Sequence, residues 1–222
     1  MITFGPDFPR LPPETLRAFA DTPSGFLVDA LGRSGALDHR IKPVWDGPAF
    51  VGTALPVWTT ARDNLAPYAA LKVIQPGDVV LVATGEFHQA SVLGDLVIGM
   101  MRNAGAIAVV TDGLVRDVAG IRETGLPAYA WGVSPNSPYK HGPGGIAVPI
   151  SIGGVMVAPG DLVLGDSEGV VIAPRAAIEK ALAELDAVRA KERKMDAAVR
   201  GGARLPDWLE QTLSEKGVVY AK

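Results

Sequence analysis

Arg116 and Asp117 stand next to each other at the end of a glycine-containing segment, where functional side chains are often found. The apolar residues 107–111 just before this segment predict a buried strand that runs into a loop. The planar guanidinium of Arg116 could bind a carboxylate through two hydrogen bonds or stabilise a developing enolate oxygen. The carboxylate of Asp117 could bind a metal ion. Two other interpretations stay open: a solvated ion pair, or an Asp117 that caps a helix beginning at Val118.

A glycine interrupts a second segment. The apolar spacing of residues 90–104 predicts a helix, yet a glycine in a helix interior costs about 1 kcal/mol relative to alanine. The helix could begin at Gly94 and Asp95, so that the free N–H groups of Leu96 and Val97 point at an anion. Alternatively, Gly94 permits a close contact between helices. The sequence favours neither interpretation.

The polar residues 134–145, rich in proline and glycine, predict a loop without regular structure. A loop of this length is typical of a lid over a site or of a contact between subunits. Two interpretations of Lys140 in this loop stay open: it contacts an acidic substrate, or it only keeps the loop exposed to solvent. The Gly-Pro-Gly-Gly run at 142–145 lacks the Gly-Lys-Ser/Thr ending of a phosphate-binding loop, so a nucleotide site of that type is excluded.

The composition of the 222 residues excludes several classes of protein. There is no cysteine, so disulfides, thiolate nucleophiles and zinc–cysteine sites are absent. The three histidines are far apart, and a metal ion would therefore bind oxygen ligands, which favours Mg²⁺ or Mn²⁺. A net charge of −3 gives no basic surplus for nucleic acid. No apolar stretch is long enough for a membrane span and no signal-peptide pattern opens the chain, so we expect a cytoplasmic protein.

Short apolar runs separated by turns predict the elements that position these candidates. The pattern indicates an α/β domain without regular alternation of strands and long helices, and a sandwich around a β-sheet fits better than a TIM barrel. The sequence Pro-Gly-Asp at 76–78 recurs at 159–161, which predicts two turns that each lead into a strand. Strands are predicted at 51–58, 79–83, 107–111, 128–131 and in short segments from 148 to 173, and helices after Pro12 and Pro23 and at 65–73, 118–124 and 175–199.

Several short motifs follow one another along the chain. They are Asp-Asn at 63–64, Pro-Gly-Asp-Val-Val-Leu-Val at 76–82, Gly-Asp-Leu at 94–96, Asp-Gly-Leu-Val-Arg-Asp at 112–117, Gly-Val-Ser-Pro at 132–135, Pro-Gly-Asp-Leu-Val at 159–163 and Asp-Ser-Glu-Gly-Val-Val at 166–171. In this order the chain resembles the family that contains the ribonuclease regulator RraA and 4-hydroxy-4-methyl-2-oxoglutarate aldolase, a class II pyruvate aldolase.

The resemblance implies the architecture of the whole chain. Residues 1–174 would form an α-β-β-α sandwich, also described as a swivelling β/β/α domain. Residues 175–222 would add a C-terminal helix and tail that belong to the same domain and contact a neighbouring subunit. The assembly implied is a homotrimer or a homohexamer, with sites near the subunit boundaries.

The resemblance also implies the roles of residues around a metal ion. Asp117 would be the direct protein ligand of Mg²⁺ or Mn²⁺. Arg116 would bind the oxo-acid end of the substrate and stabilise the pyruvate enolate. Asp95 would orient a water on the metal that moves the proton.

Further residues would contact the substrate. The backbone from Gly94 through Leu96 to Val97 would hold its carboxylate, and Asn64 and Lys140 match family positions that face it. Glu192 matches, by its distance along the chain, an acidic residue that reaches the site of a neighbouring subunit. The segment around Glu192 is also typical of an ordinary charged helix face.

The activity implied is metal-dependent cleavage of a 4-hydroxy-2-oxo acid, such as 4-hydroxy-4-methyl-2-oxoglutarate, to pyruvate and a second oxo acid. Oxaloacetate decarboxylation would be a side activity, because both reactions pass through a pyruvate enolate that needs a Lewis acid and a cation in a fixed site. The alternative is a non-catalytic RraA-like regulator that binds a ribonuclease or another protein. Lys140 and the long C-terminal tail favour the enzyme.

Overall fold

The computed structural model describes residues 1–219, and within them the chain forms fourteen strands, seven α-helices and one 3₁₀ turn. The strands are β1 (Ile2–Phe4), β2 (Lys42–Pro43), β3 (Phe50–Thr59), β4 (Asp78–Ala83), β5 (Ser91–Leu93), β6 (Ala108–Thr111), β7 (Leu114–Val115), β8 (Ala128–Ala130), β9 (Gly132–Val133), β10 (Gly144–Ile146), β11 (Ile150–Ile152), β12 (Val155–Val157), β13 (Leu162–Asp166) and β14 (Gly169–Ala173). The helices are α1 (Pro13–Ala18), α2 (Ser24–Ala30), α3 (Leu65–Ala70), α4 (Asp95–Asn103), α5 (Val118–Thr124), α6 (Ile178–Arg200) and α7 (Leu209–Lys216), and the 3₁₀ turn is Arg175–Ala177.

Four parallel strands, in the order β3-β4-β6-β8, form the centre of the main sheet. Helices α3, α4 and α5 connect them, so this part of the chain does alternate strands with helices. This alternation was not predicted from the sequence, because helices of six, nine and seven residues give a weak periodic signal. Along β4, Val80 and Val82 pack into one core while Val79 and Leu81 pack into the core on the opposite face.

A second sheet contains three short parallel strands in the order β5-β7-β9. Each of β4, β6 and β8 is followed by a non-helical connection, and the chain then continues into one of these short strands. The predicted helix over 90–104 is therefore wrong for residues 91–93, which pair as β5 with β7. The helix α4 begins only at Asp95, after the extended residue Gly94 with φ −139°.

The prediction of an irregular loop over 134–145 is wrong at its end, where Gly144 and Gly145 belong to β10. This strand pairs with β1 and β3. A Cβ on Gly144 would lie 2.7 Å from the carbonyl oxygen of Trp58 and 2.5 Å from Cβ of Ala66. Glycine thus serves close packing at this position, and not only turn formation.

The two Pro-Gly-Asp segments form the same turn, as predicted. Gly77 and Gly160 adopt φ values of +91° and +90°, which suit the third residue of a type II turn. In each case the aspartate carboxylate accepts a hydrogen bond from the N–H three residues earlier, at 2.9 Å for Asp78 and 2.8 Å for Asp161. Both turns lead directly into buried strands.

The C-terminal helix α6 packs against the domain only through its first turns. Ile178, Ala181 and Leu185 are buried, and α2 is their main neighbouring helix. The later part of α6 exposes most of its side chains, and Val199 is 60% exposed. The tail that follows contains α7, which was not predicted from the sequence.

The layered α/β fold with a C-terminal helix confirms the predicted fold class. Helices α3, α4 and α5 cover one face of the main sheet, while the β11–β12 hairpin contributes to the core on the other face. Of the helices in residues 1–219, none combines the length and the apolar character that crossing a membrane requires.

Candidate functional site

The short strands β5 and β7 end side by side, and each is followed at once by polar residues. Gly94 and Asp95 follow β5, while Arg116 and Asp117 follow β7. The N–H of Arg116 donates to the carbonyl oxygen of Leu93 at 3.0 Å, which extends the pairing beyond the strands. Because ligands in α/β proteins bind at the carboxyl ends of parallel strands, this edge is the candidate site.

A cleft of about 140 Å³ opens at these strand ends. It brings together all of the site residues predicted from the sequence except Glu192, namely Asn64, Gly94, Asp95, Leu96, Val97, Arg116, Asp117 and Lys140. Other residues that line the cleft were not predicted as site residues from the sequence, namely Tyr68, Ser91, Leu93, Ser137 and Pro138. Ser91 and Leu93 were missed because they lie in the segment that was predicted to be helical.

Asp117 has a left-handed backbone, with φ 59° and ψ 44°, which is uncommon for a residue other than glycine. Its carbonyl oxygen accepts the hydrogen bond from Ile121 at 2.9 Å that begins α5. Its carboxylate, however, makes no capping hydrogen bond within the described residues. The interpretation of Asp117 as a side-chain cap is therefore wrong, and a carboxylate that is 45% exposed faces the cleft.

The guanidinium of Arg116 is held between two neighbours. Its Nε lies 3.2 Å from Oδ2 of Asp117, and its Nη1 donates to Oγ of Ser137 at 2.7 Å. The ion pair predicted as one interpretation is thus present, but its half-exposed position makes its contribution to stability small. A guanidinium has five N–H donors, so several remain for a ligand.

Gly94 stands at the start of the helix, as one of its two interpretations predicted, and it also permits a close contact; anion binding by the N–H groups of this turn stays a prediction. It precedes the first residue of α4, and a Cβ on it would lie 2.7 Å from Oδ2 of Asp117 and 3.3 Å from Cγ of Arg116. Gly120 in α5 has a similar role, because a Cβ there would lie 2.8 Å from Cβ of Asp95. The two glycines let α4 and α5 approach closely enough to bring Asp95 and Asp117 into one cleft.

The start of α4 presents backbone groups to the cleft. Oδ1 of Asp95 accepts the N–H of Leu96 at 2.7 Å, so this N–H is satisfied by the protein itself. The side chain of Leu96 is 71% exposed and that of Val97 is 2% exposed. Within residues 1–219 the N–H of Val97 has no backbone or side-chain partner, so it stays available to an anion.

A short backbone ladder holds Asn64 and Lys140 on the other side of the cleft. The N–H of Asn64 donates to the carbonyl oxygen of Tyr139 at 2.9 Å. The buried carboxylate of Asp63 accepts hydrogen bonds from the N–H groups of Leu65 and His141. Lys140 is thereby fixed between two anchored residues.

Oδ1 of Asn64 is buried and makes no hydrogen bond to any residue in the described part of the chain. A buried polar atom without a partner is unfavourable, and such atoms in native proteins usually have a functional explanation. Because Asn64 lines the cleft, a bound ligand could supply the missing donor.

Comparison with known proteins decides the family. Residues 25–172, about two thirds of the chain, match the RraA-like aldolase/RraA family. The chain belongs to this family. A relative of the RraA-like chain, named as a candidate 4-hydroxy-4-methyl-2-oxoglutarate aldolase from Halalkalibacterium halodurans, is 34% identical over 182 residues, which cover 82% of this chain and 86% of the relative.

Solved structures share the fold of the RraA-like chain. The Streptomyces coelicolor protein RraAS2, named as an unusual member of the RNase ES inhibitor RraA family, is 26% identical with a TM-score of 0.73, and the match covers 86% of this chain and all of that one. The RNA-processing inhibitor RraA from Thermus thermophilis is 27% identical with a TM-score of 0.64, and the match covers 69% of this chain and 93% of that one.

The acidic side chains of the cleft limit which metal ion the RraA-like chain could hold. Within residues 1–219 no three Asp, Glu or His side chains come together as a metal site. The carboxylates that line the cleft are those of Asp95 and Asp117. Mg²⁺ is usually bound by one or two carboxylates together with water and ligand oxygens, so this donor set fits Mg²⁺ or the similar Mn²⁺.

Glu192 lies apart from the cleft residues of its own chain. It is exposed on α6 and lines a shallow groove with Phe26 and Arg189. Its contribution to the cleft of a neighbouring subunit stays a prediction.

Proposed function

We propose that this RraA-like chain is a divalent-metal-dependent lyase that cleaves a 4-hydroxy-2-oxo acid, such as 4-hydroxy-4-methyl-2-oxoglutarate, to pyruvate and a second oxo acid. The observation that carries the proposal is the meeting of Arg116 and Asp117 with the backbone of Gly94 and Asp95 in one small cleft. The family membership and the aldolase-named relative support it.

Cleavage requires that negative charge on the pyruvate part be stabilised as the carbon–carbon bond breaks. A divalent cation held through Asp117 would supply Lewis-acid stabilisation of this charge. Arg116 would place its remaining N–H donors beside the carboxylate and the enolate oxygen. Since the guanidinium is fixed by Asp117 and Ser137, it needs little reorganisation when the charge develops.

The reaction also requires a proton to leave the 4-hydroxyl group and another to reach C3 of the enolate. Oδ1 of Asp95 accepts the N–H of Leu96. Oδ2 is therefore the oxygen proposed to orient a water in the cleft, and this water would carry the proton from the 4-hydroxyl group to C3. The electron pair of the broken bond goes to C3, the hydroxyl-bearing carbon becomes the carbonyl of the second product, and protonation of C3 yields pyruvate.

Two residues would recognise the remainder of the substrate. Lys140 is a cation on the rim of the cleft and would pair with a second carboxylate. Oδ1 of Asn64 accepts hydrogen bonds and would be satisfied by a hydroxyl of the substrate. The same set of groups would support decarboxylation of oxaloacetate, which also leaves a pyruvate enolate.

We further propose that the chain works as a homotrimer or homohexamer. Leu96 and Met100 are 71% and 46% exposed. They stand four residues apart in α4, next to the cleft, and so form one apolar surface. Contact with a neighbouring subunit would remove this surface from water. Residues 175–222 would form part of the same contact between subunits.

The second candidate is a regulator that binds a ribonuclease, and it is supported by the two RraA-named structures. The length of the C-terminal tail separates the candidates less well than expected. RraAS2 is named in an inhibitor family although its match covers 86% of this chain. Turnover is therefore the better criterion.

The experiment measures pyruvate release from 4-hydroxy-4-methyl-2-oxoglutarate and from oxaloacetate, coupled to lactate dehydrogenase, with Mg²⁺ or Mn²⁺ and then with excess EDTA. The lyase predicts release above the spontaneous background that EDTA removes and added metal restores. Absence of release from both substrates, with folded protein and metal present, would reject the lyase and favour the regulator.

A further inference from the structure

Ser137 is the cleft residue that contacts Arg116 from the loop after β9. Its Oγ accepts a hydrogen bond from Nη1 of Arg116 at 2.7 Å, while Nε of the same guanidinium lies 3.2 Å from Oδ2 of Asp117. The two contacts use different nitrogens of the guanidinium. Within residues 1–219, Nη2 of Arg116 has no protein partner, so this end of the guanidinium stays available to a ligand.

The neighbouring residue Asn136 fixes the position of Ser137. The carbonyl oxygen of Asn136 accepts hydrogen bonds from N–H and Oγ of Ser91 at 3.0 and 2.6 Å. Its Nδ2 donates to the carbonyl oxygen of Gln89 at 2.8 Å, and its Oδ1 accepts the N–H of Ser137 at 3.0 Å. The loop is thereby tied to the segment that enters β5, and the hydroxyl of Ser137 is held in place although the residue is exposed.

We propose that Ser137 is a positioning residue that orients the guanidinium of Arg116 for the oxo acid. A long arginine side chain loses conformational freedom when it binds a ligand, and a contact that restrains it beforehand lowers this entropic cost. The inference rests on the proposed function, because Arg116 is the group proposed to bind the oxo acid. Ser137 acts through Arg116 and does not itself contact the reacting atoms.

The direction of the change in oxo-acid affinity when the Ser137 hydroxyl is removed distinguishes a positioning role from competition with the oxo acid. If the serine hydroxyl occupies a donor that the oxo acid needs, its removal frees Nη1 and strengthens binding. If the hydroxyl orients the guanidinium, its removal weakens binding.

The test compares Ser137→Ala with Ser137→Thr, which keeps a hydroxyl, and with Ser151→Ala, a control at an exposed serine of the β11–β12 hairpin. Two assays are run with Mg²⁺ present: steady-state kinetics of pyruvate release, which gives KM and kcat, and calorimetry, which gives the Kd of oxalate. Oxalate is a planar dianion that resembles the pyruvate enolate and requires no turnover.

We expect Ser137→Ala to raise KM and the oxalate Kd by about tenfold, which corresponds to one charge-assisted hydrogen bond, with a smaller change in kcat. Ser137→Thr should return both values to within about twofold of the wild type, and Ser151→Ala should match the wild type. In an Arg116→Lys background, Ser137→Ala should change the oxalate Kd by less than about twofold, because the partner of the hydroxyl is gone.

If the wild type releases pyruvate, two results would overturn the role of Ser137 and leave the proposed function intact. They are an unchanged or tighter oxalate Kd in Ser137→Ala, and a loss of similar size in the Arg116→Lys background. A wild type that neither releases pyruvate nor binds oxalate would overturn the proposed function together with the inference. Thermal unfolding of each variant separates these results from loss of the fold.

Discussion

The backbone of Gly94 lies against the carboxylate of Asp117 so closely that a Cβ on residue 94 would lie 2.7 Å from Oδ2. This contact joins the residue after β5 to the residue before α5. The metal-binding role proposed for Asp117 therefore depends on the absence of a side chain at position 94.

Gly94→Ala should displace the Asp117 carboxylate and lower kcat/KM for pyruvate release on the order of a hundredfold, since small misplacements at a reacting centre have effects of this size. Gly99→Ala is the matched control in the same helix. Its Cβ would lie an unstrained 3.7 Å from Thr124 Cγ2, so it should retain activity and gain up to about 1 kcal/mol of stability. Equal activity in both variants would contradict the packing account of the site.

Arg116→Lys should lower kcat/KM roughly a hundredfold, because lysine keeps the charge but lacks the planar fork that can bind a carboxylate and a developing oxyanion together. Steady-state kinetics with Mg²⁺ check this expectation, and thermal unfolding checks that the fold is retained. Activity close to that of the wild type would mean that Arg116 supplies only positive charge or has a structural role.

Asp63→Asn should loosen the ladder that holds Lys140. The carboxylate of Asp63 accepts one N–H on each oxygen, from Leu65 and from His141, whereas an asparagine amide would turn its NH₂ group toward one of these two donors. We expect a higher KM and a loss of about 1–3 kcal/mol in the free energy of unfolding. Asp186→Asn, at a side chain that is 87% exposed, is the control and should change neither quantity. An unaltered KM in Asp63→Asn would show that Lys140 does not depend on this anchor.

Burial raises the pKa of Asp112 above its ordinary value, although hydrogen bonds from Thr84 act in the opposite direction. Between the unfolded and folded pKa values the folded protein binds more protons than the unfolded chain. The contribution of Asp112 to the free energy of unfolding is therefore largest at low pH and declines as pH rises through the folded pKa. Asp112→Asn should remove this decline, as measured by urea unfolding across acidic pH. Parallel pH profiles for wild type and variant would contradict it.

The site motifs could be predicted from the sequence because they are local. The order of short motifs identified the family, and Gly-Asp at 94–95 and Arg-Asp at 116–117 lie in the cleft where the structure brings β5 and β7 together. The helix start at Asp95 was among the open interpretations of Gly94, because a glycine inside a helical pattern needs a reason.

Other features depend on long-range pairing that no local pattern shows. Strand β5 has apolar residues that also suit a helix, and only its pairing with β7 makes it extended. Ser137 carries no motif, and its contact with Arg116 arises from a separation of 21 residues. Strand β10, which begins with Gly144 and Gly145 and pairs with β3, was missed because glycine ordinarily predicts turns.

The central claim is that Asp117 holds the divalent cation on which pyruvate release depends. Its most direct test follows pyruvate release by wild type and by Asp117→Ala as Mn²⁺ is added to metal-free protein, with Mn²⁺ binding measured by EPR in the same samples. We predict that the wild type gains activity in step with bound Mn²⁺. Asp117→Ala, equally folded, should neither bind Mn²⁺ tightly nor release pyruvate above background. Normal turnover or unchanged Mn²⁺ binding in Asp117→Ala would contradict the assignment.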